Sequence, residues 1–460
     1  MQTSVAPGGI RTFIPPHPDP APENLSPREL ASLMRTNNLR VWSQRAYEEE
    51  VVARRFFGRS SVLFNAHEAI RHVLVDHPEA YGRTRATLRI LKPLLGEGLF
   101  TSEGPVWRHQ RRILAPAFTP RTVELLIPHI QSATTEMISS VAAGEKEQVD
   151  LFPKIQRLAL EIAGRTMFSL EMGEHGPALR EQVKRYGQRL GRPHLLDFVV
   201  PISIPTPHDW ARTWFRRGWI RLIDQIMAER LTAKTHASGP RDLLDLLMAA
   251  RDPESGEGFS PKQLRDQIAT MILAGHETTA AALCWSVYLL AQVPEVQERI
   301  AKEAATALSG GGAEPQLSTL TYTRAVLDEV MRLYPPAYVI VRAAHRSDNV
   351  AGVDMKPGDL AIISPWVLHR HRKRWHEPDA FVPERFLPGA SAIERFAYLP
   401  FGVGPRVCIG AHFALTEATL VLAELMRSFR IELMTTQPVL PVAVVTTQPD
   451  HAPLFHLHLR

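Results

Sequence analysis

Phe401-Gly402-Val403-Gly404-Pro405-Arg406-Val407-Cys408-Ile409-Gly410 sets one cysteine between a glycine-rich turn and a long apolar run that begins near Ala411. The run, AHFALTEATLVLAELMRSF, predicts a buried helix with Cys408 at or just before its N-terminus. Free backbone N–H groups and the positive end of the helix dipole favour a thiolate at such a place. Gly402 and Gly404 permit a tight turn, and Gly410 lets a flat ligand approach the backbone. A thiolate so presented serves as a nucleophile, a metal ligand or the axial ligand of a haem iron.

Phe401, Gly404, Arg406, Cys408 and Gly410 fill every fixed position of F-x-x-G-x-R-x-C-x-G, the haem-binding signature of the cytochrome P-450 family. The chain therefore resembles that family. The resemblance implies a mainly α fold with small β-sheets and a long central helix over the haem. It also implies heme b (iron protoporphyrin IX), with the Cys408 thiolate as axial ligand to the metal.

Composition is that of a globular protein with ample core: 460 residues, 45% hydrophobic and 22% charged. Two cysteines, Cys284 and Cys408, exclude a disulfide framework and point to a reducing cytoplasm. A net charge of +5 suits an acidic protein partner and is too diffuse to argue for nucleic acid. Residues 1–38 carry Pro15, Pro16, Pro18, Pro20 and Pro22 and no apolar run of ten residues. They read as an extended lead-in, neither a packed element nor a signal peptide nor a membrane anchor, ahead of one catalytic domain over 39–460. By resemblance the chain is a soluble, bacterial-type, monomeric member.

Ser26-Pro27-Arg28-Glu29 has the form of a capped helix start. Periodicity then predicts a helix over 39–57, a strand over 61–64 and a helix over 66–76, followed by a long loop over 79–106 with at most one short helix. Helices dominate from 107 to 331, with proline-rich breaks near Pro120 and over 201–207. Short β-branched runs at 338–341, 360–364 and 440–446 predict small sheets.

Ser260-Pro261-Lys262-Gln263 caps the start of an unbroken helical pattern that ends near Pro294. Its length is about 48 Å, enough to cross a domain. Across 268–293 the only formally charged residue is Glu277, and a buried carboxylate needs either a partner or a task. Ala274-Gly275-His276-Glu277-Thr278-Thr279 matches the family's oxygen-activation motif. The resemblance makes Thr278 a hydrogen-bond donor to dioxygen, Glu277 a proton relay, and Gly275 the residue that leaves room over the haem. An ion pair between Glu277 and an Arg or Lys of a neighbouring helix is the structural alternative. Cys284, further along the helix, reads as a small core residue.

Glu329 and Arg332 end a helix before Tyr334-Pro335-Pro336, and Pro383-Glu384-Arg385-Phe386 follows downstream. These resemble the family's ExxR and PERF elements and imply a buried Glu329–Arg332–Arg385 network. Trp107 and Arg111 form the family's W-x-x-x-R. With Arg342 and Arg406 they are the implied ligands of the haem propionates, which a guanidinium can hold bidentately. The chain departs from the family at WVLHRHRKRW (366–375), which keeps His369-Arg370 and lacks the usual Asp-Pro. The substitution predicts more positive charge on the cysteine side, suited to an acidic ferredoxin or flavodoxin-type donor served by its own reductase.

A zinc site built from Cys408, His412, His369, His371 and His376 has no standard spacing. A cysteine hydrolase leaves Glu277-Thr278 and the ExxR element unexplained. A haem sensor or carrier needs no acid–alcohol pair, and peroxide-using haem-thiolate enzymes usually lose one member of it. The expectation is thus a monooxygenase that inserts one atom of O2 into a small lipophilic substrate: a terpenoid, fatty acid or carotenoid-like molecule. By resemblance its pocket is lined from 83–99, 176–215, 272–278, 337–341 and 444–447. Arg83, Arg85 and Arg89 are candidates to hold a substrate carboxylate.

Overall fold

The computed structural model describes residues 3–5, 11–56, 59–144, 148–232, 240–308 and 317–460. It is predominantly helical with small sheets, as the resemblance implies. The organising element is the helix Pro261–Leu290. Ser260 Oγ accepts from the Gln263 N–H at 3.3 Å, and Gln263 Oε1 accepts from the Ser260 N–H at 2.9 Å. This reciprocal cap satisfies two donors that helix geometry leaves without partners.

Each half of that helix serves a different apolar cluster. The first half sends Ile268, Ala269 and Ile272 among Trp219, Phe215, Phe168 and Leu94. The second half, from Leu283 to Leu290, is buried on every side and packs on the helices Leu151–Phe168, Thr321–Leu333 and Ala411–Ser428. There Trp285 stacks on Tyr334 with ring centroids 4.0 Å apart, and its Nε1 donates to the Thr447 carbonyl at 3.1 Å. Cys284 is buried in the same cluster.

The main sheet has five strands in the spatial order Val51–Phe56, Arg59–Phe64, Leu360–Ile363, Ile340–Ala344, Tyr81–Gly82. The Arg59–Phe64 and Leu360–Ile363 pair is parallel, and the other pairs are antiparallel. Strand order matters for function, because Tyr81 pairs with Ala344 and Gly82 with Ala343. That register brings Arg83 to the side of Arg342.

Two expected elements are different in the structure. Where one helix is expected over 39–57, the described part, 39–56, forms 3-10 turns and then the strand Val51–Phe56. The run Val51-Val52-Ala53-Arg54-Arg55-Phe56 has β-forming ends, and its tertiary partner Arg59–Phe64 overrides local helical spacing. Residues 79–106 are not a long loop. They hold the strand Tyr81–Gly82 and an 11-residue helix, Arg85–Leu95, capped by Thr84 and closed by Gly96 at φ +61°. The proline-rich lead-in is extended but seated: Phe13 and Pro16 carbonyls accept from the Phe381 N–H at 2.9 Å and the Tyr334 hydroxyl at 2.7 Å.

Candidate active site

The cysteine loop is wound tightly by two left-handed glycines, Gly402 at φ +71° and Gly404 at φ +78°. A Cβ on Gly404 would lie 2.0 Å from the Leu74 carbonyl oxygen, so no side chain fits there. The Cys408 N–H donates to the Phe401 carbonyl at 2.9 Å and the Val407 N–H to Gly404 at 3.0 Å, closing the loop on itself. The helix Ala411–Ser428 starts three residues after Cys408, with Gly410 as its N-cap. The Cys408 surface is exposed, although protein surrounds it on the remaining sides. That enclosure pushes the thiol up; the Gly410 N–H and the Arg111 charge pull it down. Enclosure therefore opposes the thiolate that the helix end favours, and a cation bonded to sulfur would restore it.

Next to this loop stands a group of arginines with too few anions. Arg406 lies over the Trp107 ring at 4.5 Å, donates to the Ser102 carbonyl at 3.1 Å and sits 3.9 Å from Glu103. The same Glu103 carboxylate takes the Arg83 backbone N–H at 2.6 Å. Arg342 donates to its neighbour's carbonyl at 3.0 Å and shares one cleft with Arg406, Gly402 and Tyr81. Burial and repulsion by Arg342 and Arg406 hold Arg83 well below the usual guanidinium range, and Arg342 is pushed down to about 10 by burial and Arg406. The Arg83 Nε is buried and has no hydrogen-bond partner among the described residues. One carboxylate among three enclosed cations leaves donors aimed at further carboxylates. Cys408 and this group together fit an iron porphyrin bearing two propionates.

Arg83, a candidate from the sequence to hold a substrate carboxylate, stands beside Arg342 and Arg406. The other two candidates differ in their surroundings. Arg89 is buried and donates to the carbonyls of Leu196, Pro201 and Ile204 at 3.1, 2.7 and 2.9 Å. Arg85 is exposed.

On the central helix, residues Met271–Thr278 are partly open along one side, with Ala274 exposed. Met271 and Leu273 pack against the same apolar cluster as Ile409 and Phe413, which flank the cysteine loop and its helix. Glu277 has no ion pair and no hydrogen bond among the described residues, so the expected alternative of a neighbouring Arg or Lys is absent. Burial alone pushes its carboxyl up to about 7. The Thr278 hydroxyl donates to the Ala274 carbonyl at 2.6 Å and Thr279 to Gly275 at 3.0 Å. A Cβ on Gly275 would meet nothing within 4 Å, so the space beside it is open.

Behind the loop, Glu329 and Arg332 are fully buried. Arg332 Nε and Nη2 donate to the two Glu329 oxygens at 2.7 and 2.8 Å, and Arg385 Nε reaches Glu329 Oε1 at 3.2 Å. The other Arg332 hydrogens go to the carbonyls of His369, Pro378 and Ala380 at 2.6–2.8 Å. All five donors are used, and the Val382 N–H adds a bond to Glu329. The arginines of the basic run at 366–375 are buried or paired with acids, which leaves exposed Lys373 as the part of the positive surface that the sequence predicts. Arg370 is buried against the Trp366 ring at 3.7 Å, near Asp379. Arg372 pairs with Asp379, and Arg374 with Glu50 and Glu394. His369 is buried, accepts from the Leu399 N–H at 2.8 Å, and is held down to about 3 by burial and Arg332. No group of three or more metal-ligating side chains occurs among the described residues.

The Cytochrome P450 family pattern matches residues 15–452. The chain belongs to the cytochrome P450 family. It is 33% identical over 376 residues to cyclooctatin synthase of Streptomyces melanosporofaciens, covering 79% of each chain. It is 30% identical to cyclooctat-9-en-7-ol 5-monooxygenase of the same organism, covering 78% of this chain and 80% of that one. Pentalenene oxygenase of Streptomyces avermitilis is 29% identical, with 85% and 86% covered. The enzyme is thus of the P450 monooxygenase family, which implies haem with a cysteine thiolate, dioxygen, a lipophilic substrate and a redox partner. No helix among the described residues is long and apolar enough to cross a membrane.

Proposed function

We propose that this P450 hydroxylates a neutral cyclic terpenoid: RH + O2 + two electrons + two protons → ROH + water. The observation that carries the reading is Glu277, a carboxyl with no ion pair or hydrogen bond among the described residues, which burial pushes up, beside Thr278 on the open side of the central helix. Heme b, ligated by the Cys408 sulfur, supplies dioxygen reduction and oxygen insertion when bound. Arg83, Arg111, Arg342, Arg406 and Trp107 hold and orient its carboxylates. Gly404 and Gly402 fix the loop that aims Cys408, while Phe401 and Gly410 hold it through backbone bonds. Glu329, Arg332 and Arg385 keep that side rigid. Glu277 passes protons from its carboxyl toward the Thr278 hydroxyl, and Thr278 donates to dioxygen once it releases the Ala274 carbonyl.

Three observations favour a neutral substrate. Arg89 is consumed by backbone carbonyls, Arg85 is exposed, and Arg83 stands with Arg342 and Arg406 beside the cysteine loop, where a propionate would take its donors. The relatives' names, a cyclooctatin synthase and a pentalenene oxygenase, point to cyclic hydrocarbon skeletons. Electrons come from a separate ferredoxin or flavodoxin-type donor, in a reducing compartment suited to two free thiols. Purified protein, reduced and exposed to carbon monoxide, is expected to show the thiolate-type absorption, and Cys408→Ala to abolish it. Pentalenene is expected to displace the distal water with a spectral shift that a C12 fatty acid does not give. A colourless protein, or a nitrogen proximal donor, overturns the reading.

A further inference from the structure

Residues 96–103 run from the central helix to the arginines beside the cysteine loop. Gly98 lies flat on that helix: a Cβ there would come within 2.1 Å of the Thr270 hydroxyl and 2.6 Å of the Asp266 carbonyl. Beside this contact the Glu97 N–H donates to Asp266 Oδ2 at 3.0 Å and the Leu99 N–H to Gln267 Oε1 at 2.9 Å. A second brace comes from the helix Gly104–Leu114, where Gln110 is fully buried. Its single amide spans the stretch: Nε2 donates to the Glu97 carbonyl at 2.8 Å and Oε1 accepts from the Ser102 hydroxyl at 2.8 Å. The Glu97 carbonyl fixes which end of the amide is nitrogen, because only the NH2 can donate to it.

The braced stretch delivers two acceptors to Arg406. The Ser102 carbonyl takes Arg406 Nη1 at 3.1 Å, and Glu103 Oε1 stands 3.9 Å from Arg406 Nη2. Ser102 is thus gripped at its hydroxyl by Gln110 while its carbonyl holds Arg406. Gln110 lies between Trp107 and Arg111 on one short helix, so the brace and two of the haem-side residues share an element. Gln267 is revealing in another way. Its Nε2 is buried and has no hydrogen-bond partner among the described residues. A bare buried donor costs free energy, so packing alone favours an apolar side chain at that place. What a glutamine adds there is the bond to Leu99.

We propose that Gln110 is a positioning residue for the cofactor, which together with Gln267 fixes residues 96–103 so that the Ser102 carbonyl and Glu103 hold Arg406 toward a haem carboxylate. Gln110 acts through Ser102 and Arg406. The inference rests on the reading above that Arg406 binds such a carboxylate. A guanidinium that has to be ordered on binding holds a carboxylate less well than one already fixed. Reduction of the haem adds negative charge beside that carboxylate, so a cation held less closely also makes reduction less favourable.

The test is haem loss from the full-length ferric holoenzyme to apomyoglobin, with the reduction potential measured on the same samples. Gln110→Met keeps length and removes both bonds. It is expected to lose haem about tenfold faster and to weaken reduction about threefold, roughly 28 mV at 59 mV per tenfold. Ser102→Ala keeps the carbonyl but frees it from Gln110, and is expected to match that rate within about twofold. The double variant should add little to either single one, because the two side chains act through one bond. Gln267→Met is expected to release haem about threefold faster. Wild-type rate and potential in Gln110→Met, or strict additivity of the two single changes, overturn the inference. If Gln110→Met folds poorly, unchanged haem loss from Ser102→Ala overturns it alone. A preparation without pigment defeats the haem reading itself, whereas pigmented wild type with unmoved variants defeats only this one.

Discussion

The Thr278 hydroxyl donates to the Ala274 carbonyl one turn earlier at 2.6 Å, so its hydrogen is already committed within the helix. Delivering that hydrogen to dioxygen requires the bond to open, and the carbonyl then has to be satisfied by water or left bare. Thr278→Ala is expected to keep cofactor and substrate binding while coupled product formation falls on the order of 10²-fold and reducing equivalents appear as peroxide. Product and peroxide measured per NAD(P)H consumed check this; unchanged coupling would remove Thr278 from the proton path.

Glu277 gives a prediction about pH. Its carboxyl is pushed from an ordinary 4.5 to about 7 by burial alone, so the folded state binds a proton that the unfolded chain has released in that interval. Stability must then decline as pH rises from 4.5 to 7 and level off above it. Glu277→Gln removes the cost of the buried charge. The variant is expected to match the wild type near pH 4.5 and to exceed it by about 2 kcal/mol at pH 8. Urea unfolding at a series of pH values checks the slope, and a parallel pair of profiles would refute it.

Arg83 should matter for holding the cofactor and not for binding substrate. Arg83→Gln is expected to release haem to apomyoglobin roughly tenfold faster, with Arg83→Lys intermediate, because a point charge replaces a fork. Spectral titration with a neutral terpene should be unchanged. A selective loss of affinity for carboxylated ligands would instead assign Arg83 to the substrate.

Glu329→Ala strands Arg332 with its charge buried and removes a partner of the Val382 N–H and of Arg385. The expected loss is about 3–5 kcal/mol, visible as a lower urea midpoint and poor recovery of pigmented protein. Arg332→Lys should be nearly as damaging, since an ammonium cannot reach Glu329 and three carbonyls together.

Much of this was legible in residue order because the relevant constraints are local. The Ser260–Gln263 cap, the glycines before Cys408 and the three-residue spacing of Glu329 and Arg332 are each set within a few positions. What escaped depends on partners far along the chain. The strand Val51–Phe56 exists because Arg59–Phe64 pairs with it inside a sheet completed some 300 residues later. Arg83 joins Arg342 through the same sheet, and nothing near Arg83 announces that neighbour. The run WVLHRHRKRW looks like solvated charge only while Glu50, Asp379 and Glu394 are out of view.

Those inward-turned arginines bear on how a reductase partner finds this enzyme. Arg370 and Arg374 are walled in by Trp366, Asp379, Glu50 and Glu394, so a redox partner approaching through solvent senses little of their field. Electron delivery would then be governed by exposed cations such as Arg108 and Lys373, and neutralising Arg370 or Arg374 would change the long-range field little.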